Sequence, residues 1–199
     1  MKKKIIIDLA GVVLQPIVPA QTAAIRAAYG PIRGDVMAAA YRRGVGEKLI
    51  GNKIGPILYD VAAAARPIPG AIDAVAQLVQ MPDTEIEFCS QLVLPADAEI
   101  LANQYRAISP AMAAAKYSLI SPFASRDAHL HETTAAAGAD TMNYIVASDV
   151  QFLKWPAKWR ISPVLIDPSM RVQMRAHFEY GARGFANLAA FADFMQKYR

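Results

Sequence analysis

The chain reads as an α/β protein built on a parallel sheet of about five strands with helical crossovers. Three observations lead there. Short apolar runs, beginning with Ile5-Ile6-Ile7, alternate with longer stretches of helical patterning. The first, a short apolar run bounded by Gly11, reads as a buried parallel strand. Three of the runs end in a residue capable of chemistry, Asp8, Ser90 and Asp149. Open α/β sheets place ligands at that end of their strands.

The elements follow in order. The first strand runs into Asp8, with Gly11 three residues later. Beyond it, Gln21 to Tyr29 is an alanine-rich helix stopped by Gly30, and Asp35 is placed to cap a second helix from Val36 to Arg43. Gly44 to Gly55 reads as a glycine-punctuated connector, followed by a helix from Ile57 to Ala65. The Gly46-to-Lys53 spacing lacks the Gly-Lys-Ser/Thr ending and the preceding strand of a phosphate-cradling loop. Residues 15–65 are therefore expected to form a small helical insertion, with 1–14 and 66–199 making the core domain. Within that core, Arg66-Pro-Ile-Pro-Gly70 breaks the chain before an amphipathic helix from Ala71 to Val79. Strands are expected at Glu85–Ser90, Tyr117–Ser121, Tyr144–Asp149 and Val164–Asp167, with helices at Ala96–Tyr105, Asp127–Ala137 and Phe185–Lys197.

Composition narrows the function. Hydrophobic residues make up 54% of the 199, enough for a sizeable core and too many for a disordered chain. The excess of 21 Lys+Arg over 17 Asp+Glu is scattered, without the basic stripe and interleaved aromatics of a nucleic-acid binder. Lys2-Lys3-Lys4 followed by apolar residues and Val18-Pro19-Ala20 imitates a secretory leader, but Asp8 interrupts the apolar stretch. No run of about 18 apolar residues suggests a membrane span. The single Cys89 precludes an internal disulfide and suits a reducing compartment, so a cytoplasmic protein is expected. The alanine-rich helices at 21–29 and 36–40 suit close packing within the insertion or across a homodimer.

On a parallel sheet, Asp8, Ser90 and Asp149 share one edge, with Arg126 opening the helix before the strand of Asp149. Such a set suits displacement at phosphorus or carbon. One carboxylate attacks to form an ester, a hydroxyl and a cation hold the anionic group, and a second carboxylate holds a metal.

These motifs resemble those of the haloacid dehalogenase superfamily. Ile7-Asp-Leu-Ala-Gly-Val-Val-Leu14 is similar to its first motif, Asp-x-Asp-Gly-Thr/Val, Phe88-Cys-Ser90 to the second and Ala147-Ser-Asp149 to the fourth. Pro67 to Ser90 resembles the 5'(3')-deoxyribonucleotidases in particular. The resemblance implies a Rossmann-like core with a helical cap at 15–65 and Asp8 as nucleophile. It also implies that Ser90, Gln91 and Arg126 hold phosphate, and that the Asp8 carboxylate, a backbone oxygen of Ala10 and Asp149 hold Mg²⁺. A small phosphorylated molecule, such as a nucleotide, is the implied ligand.

Three departures separate the chain from the family pattern. Ala10 stands where phosphatases carry the Asp that protonates the leaving oxygen, a loss that typically forfeits 10²–10⁴-fold in rate. The third motif's lysine is replaced by Ser125-Arg126 or by Ala128, and no second acid follows Asp149 in Val150-Gln-Phe-Leu-Lys154. Lys154 is a candidate to replace the metal's charge. The expected protein therefore binds a phosphorylated ligand with little or no turnover. The alternative is an active Mg²⁺-dependent hydrolase. Phosphonoacetaldehyde hydrolases share Asp-x-Ala-Gly, but neither Lys48 nor Lys53 lies in their cap-lysine motif; dehalogenases need a cap arginine that cannot be assigned.

Other residues carry simpler expectations. His129 and His131, two apart on a helix, point in different directions and are expected at the surface or as caps. Cys89 is expected to be a buried thiol. Trp155 and Trp159 are expected to cover the sheet edge or to stack on a base.

Overall fold

The apolar run at the amino terminus becomes the strand around which the sheet is laid. The computed structural model of the chain describes residues 2–42, 47–120, 126–136, 138, 140–153, 161–169 and 180–197. In chain order its elements are β1 (Lys2–Ile7), α1 (Ile17–Tyr29), α2 (Pro31–Arg42), α3 (Glu47–Ala63), α4 (Ala71–Val79), β2 (Thr84–Gln91), α5 (Pro95–Arg106) and α6 (Pro110–Ala114). There follow β3 (Lys116–Ile120), α7 (Arg126–Ala136), β4 (Thr141–Ala147), a 3-10 turn at Val150–Leu153, β5 (Ile161–Ile166), β6 (Arg183–Phe185) and α8 (Leu188–Lys197).

All strand pairs are parallel, in the order β3-β2-β1-β4-β5-β6. Ile7 is flanked by Phe88 on one side and Val146 on the other. Alternate residues serve opposite faces, as the two-residue period of a strand requires. Ile5, Ile7, Phe88, Val146 and Val164 enter one core cluster with residues of α4 and α8. Ile6, Cys89, Ile145, Ala147 and Leu165 enter a second, with Leu130 of α7 and Leu153. Both faces are covered, which is why the Ile5-Ile6-Ile7 run of the central strand is apolar on both sides. Beyond the five expected strands, the short β6 extends the sheet, so the closing helix starts at Leu188 rather than Phe185.

The stretch between β1 and α4 is helical but divided differently from the expectation. Asp35 lies inside α2, where it pairs with Arg26 of α1 instead of capping. The punctuated connector is absent over the described part of 44–55, because α3 runs from Glu47 to Ala63 through Gly55 and Pro56. Ile54, Leu58 and Ala62 recur every four residues and are all fully buried. Burial of that stripe outweighs the local helix-breaking preference. Ile25, Met37, Ala38, Ile54 and Leu58 form a small apolar cluster of their own. The chain enters and leaves this helical segment through one paired crossing: Gln15 N–H donates to the Arg66 carbonyl at 2.9 Å and Ile68 N–H to that of Val13 at 2.8 Å. No helix among the described residues is long and apolar enough to cross a membrane.

Candidate active site

β1 lies where the strand order reverses direction, between β2 and β4, which in an open α/β sheet opens a crevice at the carboxyl ends of the strands. Asp8 is the first residue past β1, and its N–H still donates to the Val146 carbonyl at 2.9 Å, so pairing with β4 fixes its backbone. Its carboxyl is buried, with only 8% of the residue exposed. A carboxylate so placed must be hydrogen-bonded. Asp8 Oδ1 accepts from the Ser90 hydroxyl of β2 and, at 3.2 Å, from the Ala10 N–H. Ser90 is fully buried, and its Oγ accepts from Leu9 N–H at 3.0 Å while donating to Asp8. One hydroxyl thus ties the end of β2 to both the backbone and the side chain at the end of β1.

The loop after Asp8 closes on itself. Val13 N–H and Leu14 N–H both donate to the Leu9 carbonyl, at 3.1 and 2.8 Å, and Gly11 N–H donates to that of Leu14 at 2.8 Å. Gly11 has φ +81°, and a Cβ there would sit 2.3 Å from Ser148 Oγ. Ser148 in turn donates to the Ala10 carbonyl at 3.3 Å. The strand ends of β1 and β4 therefore meet through Ser148, which local sequence does not set apart from its neighbour Asp149. The signal was present in the bare Gly11, which leaves room for a side chain from another strand.

The structure thus brings Asp8, Ala10 and Ser90 together. Asp149 follows Ser148 on the same edge and is exposed to solvent. Gln91 is the last residue of β2, half-buried and opposite Ile120 of β3. Arg126 opens α7, but its side chain lies outside the described residues, as do Ser125, Lys154, Trp155 and Trp159. The oxygen donors at this edge, two carboxylates and the Ala10 carbonyl, have the hard chemistry that Mg²⁺ takes together with water. The described residues gather no group of three His, Cys, Asp or Glu, so an ion here would draw on those donors and water alone.

A second polar cluster lies on the same sheet nearer its amino edge. Buried Lys4 pairs with Glu87 Oε2 at 2.9 Å and Glu85 Oε1 at 3.3 Å. Glu87 Oε1 accepts from Ser118 at 2.6 Å and lies 3.2 Å from His129 Nε2. His129 is thus not the surface or capping residue expected, because α7 turns it onto the sheet. Burial alone would raise the Glu87 carboxyl; the bonds from His129, Ser118 and Lys4 overcome it and hold it down at about 2. Lys116 caps the network at 2.9 Å from Glu85, whose pKa it lowers. Cys89 is fully buried, as expected.

No family model and no curated protein sequence matches the chain. Solved structures do resemble it in shape. A phosphonoacetaldehyde hydrolase-like protein from Oleispira antarctica superposes with a TM-score of 0.68 at 12% identity, over 98% of this chain and 92% of that one. D,D-heptose 1,7-bisphosphate phosphatase from B. bronchiseptica, solved with magnesium and phosphate, gives 0.62 at 16% identity over the whole of both chains. L-2-haloacid dehalogenase from Xanthobacter autotrophicus, with chloropropionic acid covalently bound, gives 0.57 at 12%, again over both whole chains. At such identities the likeness establishes the fold, that of haloacid dehalogenase-like hydrolases.

Proposed function

We propose that this chain, folded as a haloacid dehalogenase-like hydrolase, binds a small phosphorylated ligand at the Asp8 edge and hydrolyses it little or not at all. Ala10 carries the reading. Its N–H is engaged with the Asp8 carboxylate, and its methyl group has no proton to give at the position where the resemblance implies the acid. Attack by Asp8 on phosphorus would expel an alkoxide, and without a positioned acid that departure is slow. The Ser90 hydroxyl further stabilises the charge on Asp8 Oδ1, which tempers it as a nucleophile.

Binding is the simpler task. Ser90 and Gln91 at the end of β2, with Arg126 at the start of α7, are the proposed phosphate-holding residues, Ser90 turning its one hydroxyl hydrogen from Asp8 to the phosphate, and a nucleotide monophosphate is one member of the ligand class. The Asp8 carboxylate beside a phosphate dianion requires a cation. When bound, Mg²⁺ would supply that charge from the Asp8 carboxylate, the Ala10 carbonyl and Asp149. Residues 15–65 serve in this reading as the cap over the edge.

The test is a panel of phosphomonoesters with Mg²⁺, alongside thermal unfolding with Mg²⁺ and vanadate. The expected outcome is stabilisation by millimolar vanadate with Mg²⁺ and negligible turnover. Ala10→Asp should raise hydrolysis by about 10²-fold or more, the usual contribution of a general acid. Rapid wild-type turnover abolished by Asp8→Asn would establish the active hydrolase instead, and no thermal shift with either additive would remove the ligand.

A further inference from the structure

The helical segment 17–63 is joined to the sheet by more than the two linkers that enter and leave it. Gln21 of α1 is fully buried, an unusual place for a primary amide. Its Nε2 donates to the Leu58 carbonyl of α3 at 3.0 Å and to the Leu92 carbonyl at 2.8 Å. Leu92 lies two residues beyond Ser90, in the turn between β2 and α5. One side chain thus uses both amide hydrogens to connect two insertion helices to the loop that follows the Ser90 strand. Leu58 is in its last full turns of α3, and Tyr59 and Ala62 nearby carry two more links. Gln104 of α5 donates to the Tyr59 hydroxyl at 2.7 Å, and the buried Tyr105 hydroxyl donates to the Ala62 carbonyl at 2.8 Å.

We infer that Gln21 is a positioning residue that clamps the helical segment onto the loop after β2, making that segment a fixed wall of the Asp8 edge rather than a swinging lid. Opening would break the Gln21–Leu92 bond, while the Gln21–Leu58 bond, which joins α1 to α3, stays within the segment. The Gln104–Tyr59 and Tyr105–Ala62 bonds part with it, so the closed form keeps three hydrogen bonds that the open form exchanges for water. The clamp also holds the carbonyl of Leu92, and through it the path of the chain leaving Ser90. It exists whether or not Asp8 turns over a substrate, so its test needs no ligand.

Amide hydrogen exchange on the full chain reads it directly. Gln21→Leu keeps most of the volume but has no donor. Exchange over 53–63 and 92–94 should rise together by about tenfold or more, while β1 and β4 keep their wild-type protection. Gln21→Glu separates the clamp from mere packing. Ionised, the glutamate offers no hydrogen to either carbonyl; protonated, it offers one. Its excess exchange over wild type at the same pH should therefore shrink as pH falls from about 8 to about 5, the range open to a buried carboxyl whose pKa is raised. Unchanged exchange in 53–63 and 92–94, a uniform rise that includes β1 and β4, or no folded protein from either variant would each reduce Gln21 to an ordinary core residue and overturn the clamp.

Discussion

Gly11 shows how much of the candidate site depends on one missing atom. Its φ of +81° is a conformation that side chains resist by roughly 1–2 kcal/mol, and Ser148 occupies the space a Cβ would need. Gly11→Ala should therefore lower unfolding free energy by about 2–4 kcal/mol, strain and overpacking together. Adding Ser148→Gly should recover the overpacking part and leave the backbone part. Urea titrations of the single and double variants check this; a fully additive pair would mean that the two residues do not touch. Glycine three residues after a strand-end Asp was legible in the sequence. The reason for it was not, because Ser148 is distant in the chain and only strand pairing brings it near.

At the scale of elements, the insertion helices are the instructive part. The glycines within 44–55 suggest a connector, because propensity is read locally. Four-residue spacing buries Ile54 and Leu58 in the insertion's own cluster and Ala62 in the main core, and that burial makes the helix instead. Gly34 in α2 makes the complementary point. A Cβ there would lie 2.6 Å from the Cα of Arg26, so α1 and α2 approach backbone to backbone. Alanine normally improves a helix interior by about 1 kcal/mol over glycine. Here the clash falls on main chain that cannot rotate away, and Gly34→Ala should be net destabilising by about 1–3 kcal/mol. Thermal or denaturant unfolding measures it, and a stabilised variant would show that the two helices are not in close contact.

For the whole molecule, the charged cluster between β1, β2, β3 and α7 sets a pH dependence. Glu87 is held at about 2 in the folded state, against 4.5 for the ordinary side chain. A depressed carboxyl stabilises the fold above the unfolded value and loses that contribution as pH falls through the folded one. Stability should therefore drop by about 3 kcal/mol between roughly pH 5 and pH 2 on account of this group. Glu87→Gln should flatten that part of the acid limb. It should also weaken the protein at neutral pH, because Lys4 stays buried with one acidic partner fewer. Unfolding curves over pH 2–7 for both proteins decide it; identical slopes would mean that the network adds nothing.

The α/β class, the parallel arrangement and the grouping of Asp8 and Ser90 at one edge were readable from the sequence, because strands alternating with helices and the residues that end those strands are local signals. So was the absence of an acid at position 10, since it depends on residue identity alone. Tertiary structure alone decided that α3 is one helix, that His129 joins a buried network, that Ser148 reaches Ala10 and that Gln21 links the helices to the loop after Ser90. Each of these rests on a hydrogen bond or packing contact between residues far apart in the chain. Its free energy exists only once the sheet has set their separation.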